Sequence, residues 1–336
     1  MTPSKFDRRH LLVASASALA CPRQAVGEDG KARPDVLAFY YGWYGTTAFS
    51  GQDVHWQGID ATAKTIANCP DYPRDGPYDS LDPAVIKRQV QQAKAAGITG
   101  FITSWWGQND RTDQQFPLLL DAADGLKIAP YIETASDAGG LAADLAYLVH
   151  SRGKHEAWLR LDGKPVIFVF DRIIQSLGLD GWIKAREKAG VDAVFVGPAN
   201  SAPEIHERRH AFDALHIYSL QFPLARPHMI DALWRPAFYR DWVDAQNGLK
   251  VTTATVMPGF DDRRLPDRAG KRPVVDRDGG WLFRKLWRAA AAAKPAWILV
   301  VSFNEWHEAT QIEPSVQFAD RELVTAKVMN AAPSRV

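Results

Sequence analysis

Cysteine is nearly absent from this chain: 2 in 336 residues, Cys21 and Cys69. That number excludes both a disulfide-stapled scaffold and a cysteine-ligated metal cluster. An excess of charge is missing too, since 40 Lys and Arg stand against 39 Asp and Glu for a net charge of +1. Nothing in that balance calls for nucleic acid or an anionic membrane as partner. No G-x-G-x-x-G follows the first apolar run and no P-loop occurs, which removes the usual nucleotide cradles. No G-x-S-x-G elbow supports serine-hydrolase chemistry. Apolar runs stay far short of the ~20 residues needed to cross a bilayer.

The N-terminus, "MTPSKFDRRHLLVASASALACP", has the layout of an export signal. Arg8 and Arg9 form a basic start, small apolar residues follow, and Ala18-Leu19-Ala20 fits an A-x-A cleavage pattern. The paired arginines predict twin-arginine export to the periplasm or the exterior. Cys21 raises a lipoprotein alternative, although Ala18 stands where lipid-attachment boxes usually carry Leu. Residues 1–27 are therefore expected to be a signal and short linker, and residues 28–336 one domain. Only Cys69 remains in that domain, and a monomer is expected.

Aromatic residues are plentiful, with 12 Trp, many in polar surroundings. Strand-length apolar runs recur at 36–41, 98–104, 127–133, 165–170, 193–197, 214–218, 251–256 and 297–303. They are continuous rather than alternating, the pattern of parallel strands covered on both faces. Helical segments lie between them. Asp82-Pro83 predicts a cap and first turn, with Gly97 closing that helix. Asp162-Gly163 predicts a turn entering the fourth strand. Strand and helix alternating eight times in about 300 residues predict a (β/α)8 barrel, with an open doubly wound sheet as the competitor.

A barrel puts its chemistry at the C-terminal strand ends and in the loops beyond. Those ends read Tyr41-Gly42-Trp43, Trp105-Trp106, Glu133, Asp171, Tyr218, Asp261 and Asn304-Glu305-Trp306-His307-Glu308: one acidic, aromatic face. The connection from 42 to 82 is too long to be structural alone and carries His55-Trp56 and Gly76-Pro77-Tyr78.

Glu305 and Glu308 lead the candidates. On one helical turn, residues i and i+3 share a face with Cβ atoms about 5–6 Å apart. Two such carboxylates in an aromatic pocket titrate apart, one as acid and one as base. A solvated acidic turn is the plainer alternative. A zinc site is the other: "HERRHAFDALH", from His206 to His216, matches H-E-x-x-H with a third His. Against it, Arg208 and Arg209 charge the helix, Asp213 replaces the turning Gly, and His216 lies in an apolar run. An exposed charged helix is expected there. His307 is open between a base, a sugar donor and an orienting residue. Of Trp105 and Trp106, at most one is expected to stack on a ligand.

"SFNEWHEATQIEP", residues 302–314, closely resembles the signature of glycoside hydrolase family 99, the endo-α-mannosidases and bacterial endo-α-mannanases. The usual form is SFNEWHEGTQIEP. "FYYGWY", "GPYDS", "GITGFITSWWG", "YIET", "MPGFDDRR" and "WLFRKLWRAA" extend the resemblance in order along the chain. It implies a (β/α)8 barrel that cleaves internal α-mannosidic linkages with retention, on α-mannan or mannose-containing oligosaccharides. It implies Glu305 as a base on the sugar 2-hydroxyl, giving a 1,2-anhydro sugar, and Glu308 as acid/base. Tyr41, Trp105 or Trp106, Glu133, Tyr218, Asn304 and His307 are the implied sugar contacts, and Trp43 and His55 are added from the same face. No metal or organic cofactor is implied. Loss of catalysis, leaving a carbohydrate-binding barrel, is the alternative, and a zinc hydrolase on His206, Glu207 and His210 the last. Four positions depart from the family: Gly42 for Pro, Ala309 for Gly, and Tyr131 and Thr134 for the His and Pro beside the third-strand Glu.

Overall fold

The computed structural model describes residues 33–225, 236–268 and 272–331. The expected export segment, 1–27, lies outside the described residues. The parallel strands, in chain order, are β1 (Asp35–Tyr40), β2 (Gly100–Trp105), β3 (Lys127–Ile132), β4 (Lys164–Val169), β5 (Val194–Pro198), β6 (Ala214–His216), β7 (Thr253–Val256) and β8 (Trp297–Val300). They pair in the order β7-β8-β1-β2-β3-β4-β5-β6. β1 sets the register on both sides, with Leu37 opposite Leu299 and Phe39 opposite Ile102. The expected (β/α)8 barrel is the fold.

No backbone ladder joins β6 to β7. Side chains close that seam instead. The Thr253 hydroxyl donates to the Leu215 carbonyl at 2.8 Å, and the Thr255 hydroxyl donates to the Ile217 carbonyl. Both threonines are fully buried, so these carbonyls have no water to turn to.

Helices α1 (Pro83–Ala95), α2 (Arg111–Asp121), α3 (Ala138–Arg152) and α4 (Asp171–Ala189) follow the first four strands, and α5 (Ala202–Arg208) follows β5. After the later strands come α6 (Pro236–Ala245), α7 (Trp281–Ala292) and α8 (Arg321–Ala331). Short polar residues begin several of them. Asp82 accepts from the Ala84 amide at 2.8 Å, Asp110 from Thr112 at 2.8 Å, and Asp137 from Gly139 and Gly140. Asp162 and Gly163 adopt φ of 52° and 78°, forming the turn expected before β4.

A strand's side chains alternate between its two faces, and that parity builds the mouth of the barrel. Phe39, Tyr131, Phe168 and His216, from β1, β3, β4 and β6, meet inside it, with Phe39 4.9 Å from Tyr131 and 5.7 Å from His216. Two residues further along, Tyr41, Glu133, Phe170 and Tyr218 sit one layer higher. The residues between them face the helices: Tyr40 donates to Gln89 of α1 at 2.6 Å.

Removing the seam hydroxyls tests this closure. Thr253→Val and Thr255→Val each leave a buried carbonyl unpaired, and each is expected to cost about 1–3 kcal/mol in urea unfolding. A cost near zero for both would show that the seam does not depend on them.

Candidate active site

The segment after β8 is folded back on itself by its own polar side chains. The Ser302 and Thr310 hydroxyls share a hydrogen bond of 2.8 Å, and Ser302 Oγ accepts from the Glu305 amide at 2.7 Å. The Thr310 amide donates to the Glu305 carbonyl at 3.3 Å, so the expected helical turn is a wider, irregular one. Ala309 holds φ of 49°, the left-handed region, where the family's usual Gly is at ease and an L side chain is not. Two outside groups fix the far end. The Asp261 amide donates to the Glu308 carbonyl at 2.8 Å, and the buried Arg277 guanidinium donates to the carbonyls of Ala309 and Gln311.

Glu305 is buried and aimed by His307. Its Oε1 accepts from both the His307 amide and Nδ1, each at 3.0 Å. The other ring nitrogen of His307 lies 2.8 Å from the His55 carbonyl. Burial opposes a charge on His307, but the bond to Glu305 and its negative charge outweigh burial and raise the imidazole above its usual value. Of the three readings left open for His307, the geometry supports an orienting residue.

Glu308 sits on the other side of the mouth. The Tyr218 hydroxyl is 3.4 Å from Oε2, and it also shares a short hydrogen bond with the Tyr41 hydroxyl across the barrel. Arg268 reaches Oε1 at 3.2 Å and Arg272 at 3.6 Å. The same two guanidiniums lie 3.8 and 3.5 Å from the buried Asp262. Burial, then the charge of Glu305, push the Glu308 carboxyl up to about 7 against the pull of the two arginines. A carboxyl at that value carries a proton over much of the near-neutral range.

Glu133, at the end of β3, is buried below this pair. Burial raises it to about 8, with Arg172 and a hydrogen bond from Ser104 opposing and Glu305 and Glu308 adding to the rise. Arg172 lies 4.9 Å over the Trp106 ring and 5.2 Å over Phe170. Trp43 stacks on the exposed His55 ring at 4.6 Å and 10°. These rings, with Tyr41 and Tyr218, wall the mouth.

Two implied sugar contacts are placed differently. Trp105 is fully buried and its indole N–H donates to Asp113 of α2 at 3.1 Å. The cause is parity: Trp105 is on the helix-facing register of β2, so Trp106, the next residue and partly exposed, takes the mouth. Asn304 is also fully buried, and its amide is committed to protein. It accepts from the Tyr41 amide at 2.7 Å and donates to the Tyr41 carbonyl at 2.9 Å and the Tyr78 hydroxyl at 3.1 Å. It staples β1 to β8 rather than facing a ligand.

The H-E-x-x-H segment does not converge. α5 ends at Arg208, which places His206 on the helix and His210 in the turn after it. His216 is inside the barrel wall with Nε2 3.2 Å from the Val169 carbonyl. Among the described residues no three His, Cys, Asp or Glu side chains are grouped to hold a metal ion. Gly42 also finds its reason: a Cβ there would lie 2.6 Å from the side chain of the buried Gln115.

Arg172, Arg268, Arg272 and Asp262 were not singled out from the sequence. Four arginines within "DRRLPDRAGKR" after β7 are the available hint, but nothing linear says that Arg268 and Arg272 meet Glu308.

An acidic pair, Glu305 buried and Glu308 partly buried, at the C-terminal mouth of a (β/α)8 barrel walled by aromatic rings is the arrangement of a glycoside hydrolase. The sequence profile of Glycosyl hydrolase family 99 matches residues 33–326, and the chain belongs to that family. It is 26% identical over 343 residues to the mouse (Mus musculus) glycoprotein endo-alpha-1,2-mannosidase-like protein, covering 90% of this chain and 73% of that one. Identity to the glycoprotein endo-alpha-1,2-mannosidase of Xenopus laevis is 27% over 329 residues, or 84% of this chain and 70% of that one. Among solved structures, the GH99 endo-alpha-mannosidase of Bacteroides thetaiotaomicron superposes with a TM-score of 0.74 at 27% identity, over 88% of this chain and 96% of that one.

Ala309 offers a direct test of the loop. Left-handed backbone costs an L residue about 1–2 kcal/mol, and glycine costs about 0.4–1 kcal/mol through the unfolded chain. Ala309→Gly is therefore expected to raise stability by about 0.5–1 kcal/mol, seen as a higher Tm. A lower Tm would mean that the loop does not hold this conformation.

Proposed function

We propose that the protein is an endo-acting hydrolase that cleaves internal α-mannosidic bonds of a mannan or mannose-containing oligosaccharide with retention. The observation that carries this reading is the contrast within the acidic pair. Glu305 is oriented by two hydrogen bonds from His307, while Glu308 holds its proton up to about 7. Family membership supports the substrate class, since the relatives named above are mannosidases.

In the first step Glu305 takes the proton of the sugar 2-hydroxyl, and that oxygen attacks the anomeric carbon. The glycosidic C–O bond breaks, and Glu308 gives its proton to the departing oxygen. A 1,2-anhydro sugar remains. In the second step Glu308 accepts a proton from water as the water oxygen bonds to the anomeric carbon. The three-membered ring opens, and O2 recovers its proton from Glu305. Two inversions at one carbon give net retention. Tyr218 and Tyr41 steady the Glu308 carboxyl between the steps, and Arg268 and Arg272 stabilise it once it is charged. Trp43, His55 and Trp106 supply ring faces for the sugars, and Glu133 a buried acid beneath them.

The N-terminal sequence pattern supports export to the periplasm or exterior, and among the described residues no helix is long and apolar enough to cross a membrane. We take the protein to act as a monomer.

Defined α-mannosides incubated with the mature protein, followed by NMR, should release fragments whose new reducing end keeps the α configuration. Glu305→Gln and Glu308→Gln should each lower kcat by about 10²–10⁴-fold. The loss in Glu308→Gln should shrink on aryl leaving groups, which depart without a proton. Full activity in both variants would contradict this assignment, and glycan binding without turnover by the wild type would favour a binding barrel.

A further inference from the structure

The long segment between β1 and α1 places two tyrosines against the residues on either side of Glu305. The Tyr44 hydroxyl donates to the Asn304 carbonyl and accepts from the Trp306 amide, both at 3.1 Å. The Tyr78 hydroxyl accepts from Asn304 Nδ2 at 3.1 Å and from the Trp306 indole N–H at 3.2 Å. One phenol thus bridges residues 304 and 306 through their backbone, the other through their side chains. Glu305 is the residue between.

A phenol has one proton and two lone pairs. With both lone pairs of Tyr78 facing Asn304 and Trp306, its proton needs an acceptor on the remaining side. Glu313 is that acceptor: Tyr78 donates to Oε2 at 2.8 Å, and the Trp306 indole reaches the same oxygen at 3.2 Å. The other carboxylate oxygen accepts from Gln89 of α1 at 2.8 Å, and Gln89 in turn accepts from Tyr40 of β1. Glu313 is buried, with its carboxyl raised to about 7 chiefly by that burial. No cation reaches hydrogen-bond distance of it among the described contacts, so its place is unfavourable for stability alone. Both of its oxygens face N–H donors, the Gln89 amide and the Trp306 indole, a pairing that the single acceptor oxygen of a glutamine amide does not reproduce.

We propose that Tyr78, held by Glu313, is a positioning residue for Glu305. The two fix the peptide that carries the base, without touching the sugar. This rests on Glu305 being the base in the proposed reaction.

The test uses the full mature chain with Tyr78→Phe and Glu313→Gln. Phenylalanine keeps the ring, and so its packing at 5.6 Å from Tyr44 and 5.5 Å from Trp56. Each variant should lose about 10–100-fold in kcat, the scale expected of a base displaced by about 1 Å. KM should stay within about 3-fold of the wild type, because sugar contacts are untouched. Because the pair acts as a unit, the double variant should lose no more than the worse single. Crystal structures of the variants should show the Glu305 side chain displaced from His307. Folded variants with wild-type kcat and an unmoved Glu305 would overturn the proposal, as would losses confined to Tm. Should the wild type cleave no α-mannoside while Glu305 still moves in Tyr78→Phe, the substrate reading fails and the positioning role stands. If Tyr78→Phe does not fold, Glu313→Gln alone decides by the same kcat and structural readouts.

Discussion

Two carboxyl groups that share a largely buried pocket cannot both be charged cheaply, and this site is organised around that cost. Burial alone raises a carboxyl, and the charge of a neighbour raises it further. The protein breaks the symmetry by surrounding the pair differently. Glu305 receives two N–H donors from His307, whereas Glu308 faces a phenol shared between two tyrosines and a pair of arginines. The arginines are partly exposed and divided between Glu308 and Asp262, so they temper the rise without cancelling it. Glu308 is left holding its proton near neutrality beside a Glu305 that is oriented by His307.

The rest of the barrel serves that arrangement. Strand parity sets Tyr41, Glu133 and Tyr218 one layer above a plug of Phe39, Tyr131, Phe168 and His216. Asn304 joins β1 to β8, and the tyrosines of the long first loop grip the residues flanking Glu305. This has a thermodynamic consequence. Glu133, Glu308 and Glu313 are raised to about 8, 7 and 7. Between the ordinary carboxyl range and those values the folded chain keeps protons that the unfolded chain has lost. Stability is therefore greatest at or below about 4.5 as far as these groups decide it, and declines as pH rises through 7 and 8. The site is held together by the surrounding fold rather than contributing to it.

Much of this was legible in the linear chain, for identifiable reasons. Continuous apolar runs marked the strands because both faces of a barrel wall are covered, and each of the eight parallel barrel strands overlaps the run that predicted it, while the two-residue strands at 59–60, 65–66 and 160–161 left no such run. Glu305 and Glu308 stood out because polar chemistry directly after a buried strand is rare. Trp105 and Trp106 could not be separated, since the parity that sends one outward depends on where β2 starts. Asn304 was expected to face a sugar because its three-dimensional partners, Tyr41 and Tyr78, lie more than 200 residues away in sequence. The arginines on Glu308 and the clamp through Glu313 were hidden for the same reason: contacts across loops leave no spacing to read. The irregular turn around Ala309 broke the simple i, i+3 picture while keeping both glutamates at one mouth.

The central claim is that Glu308 keeps its proton because it is buried beside Glu305. Direct titration of the glutamate carboxyls, by carbon-13 NMR of selectively labelled protein, tests it at the atom concerned. Glu308 should titrate near 7 in the wild type and at a lower pH in Glu305→Gln, where the neighbouring charge is gone. A Glu308 that titrates in the ordinary carboxyl range, or that is indifferent to the loss of Glu305, would contradict the account.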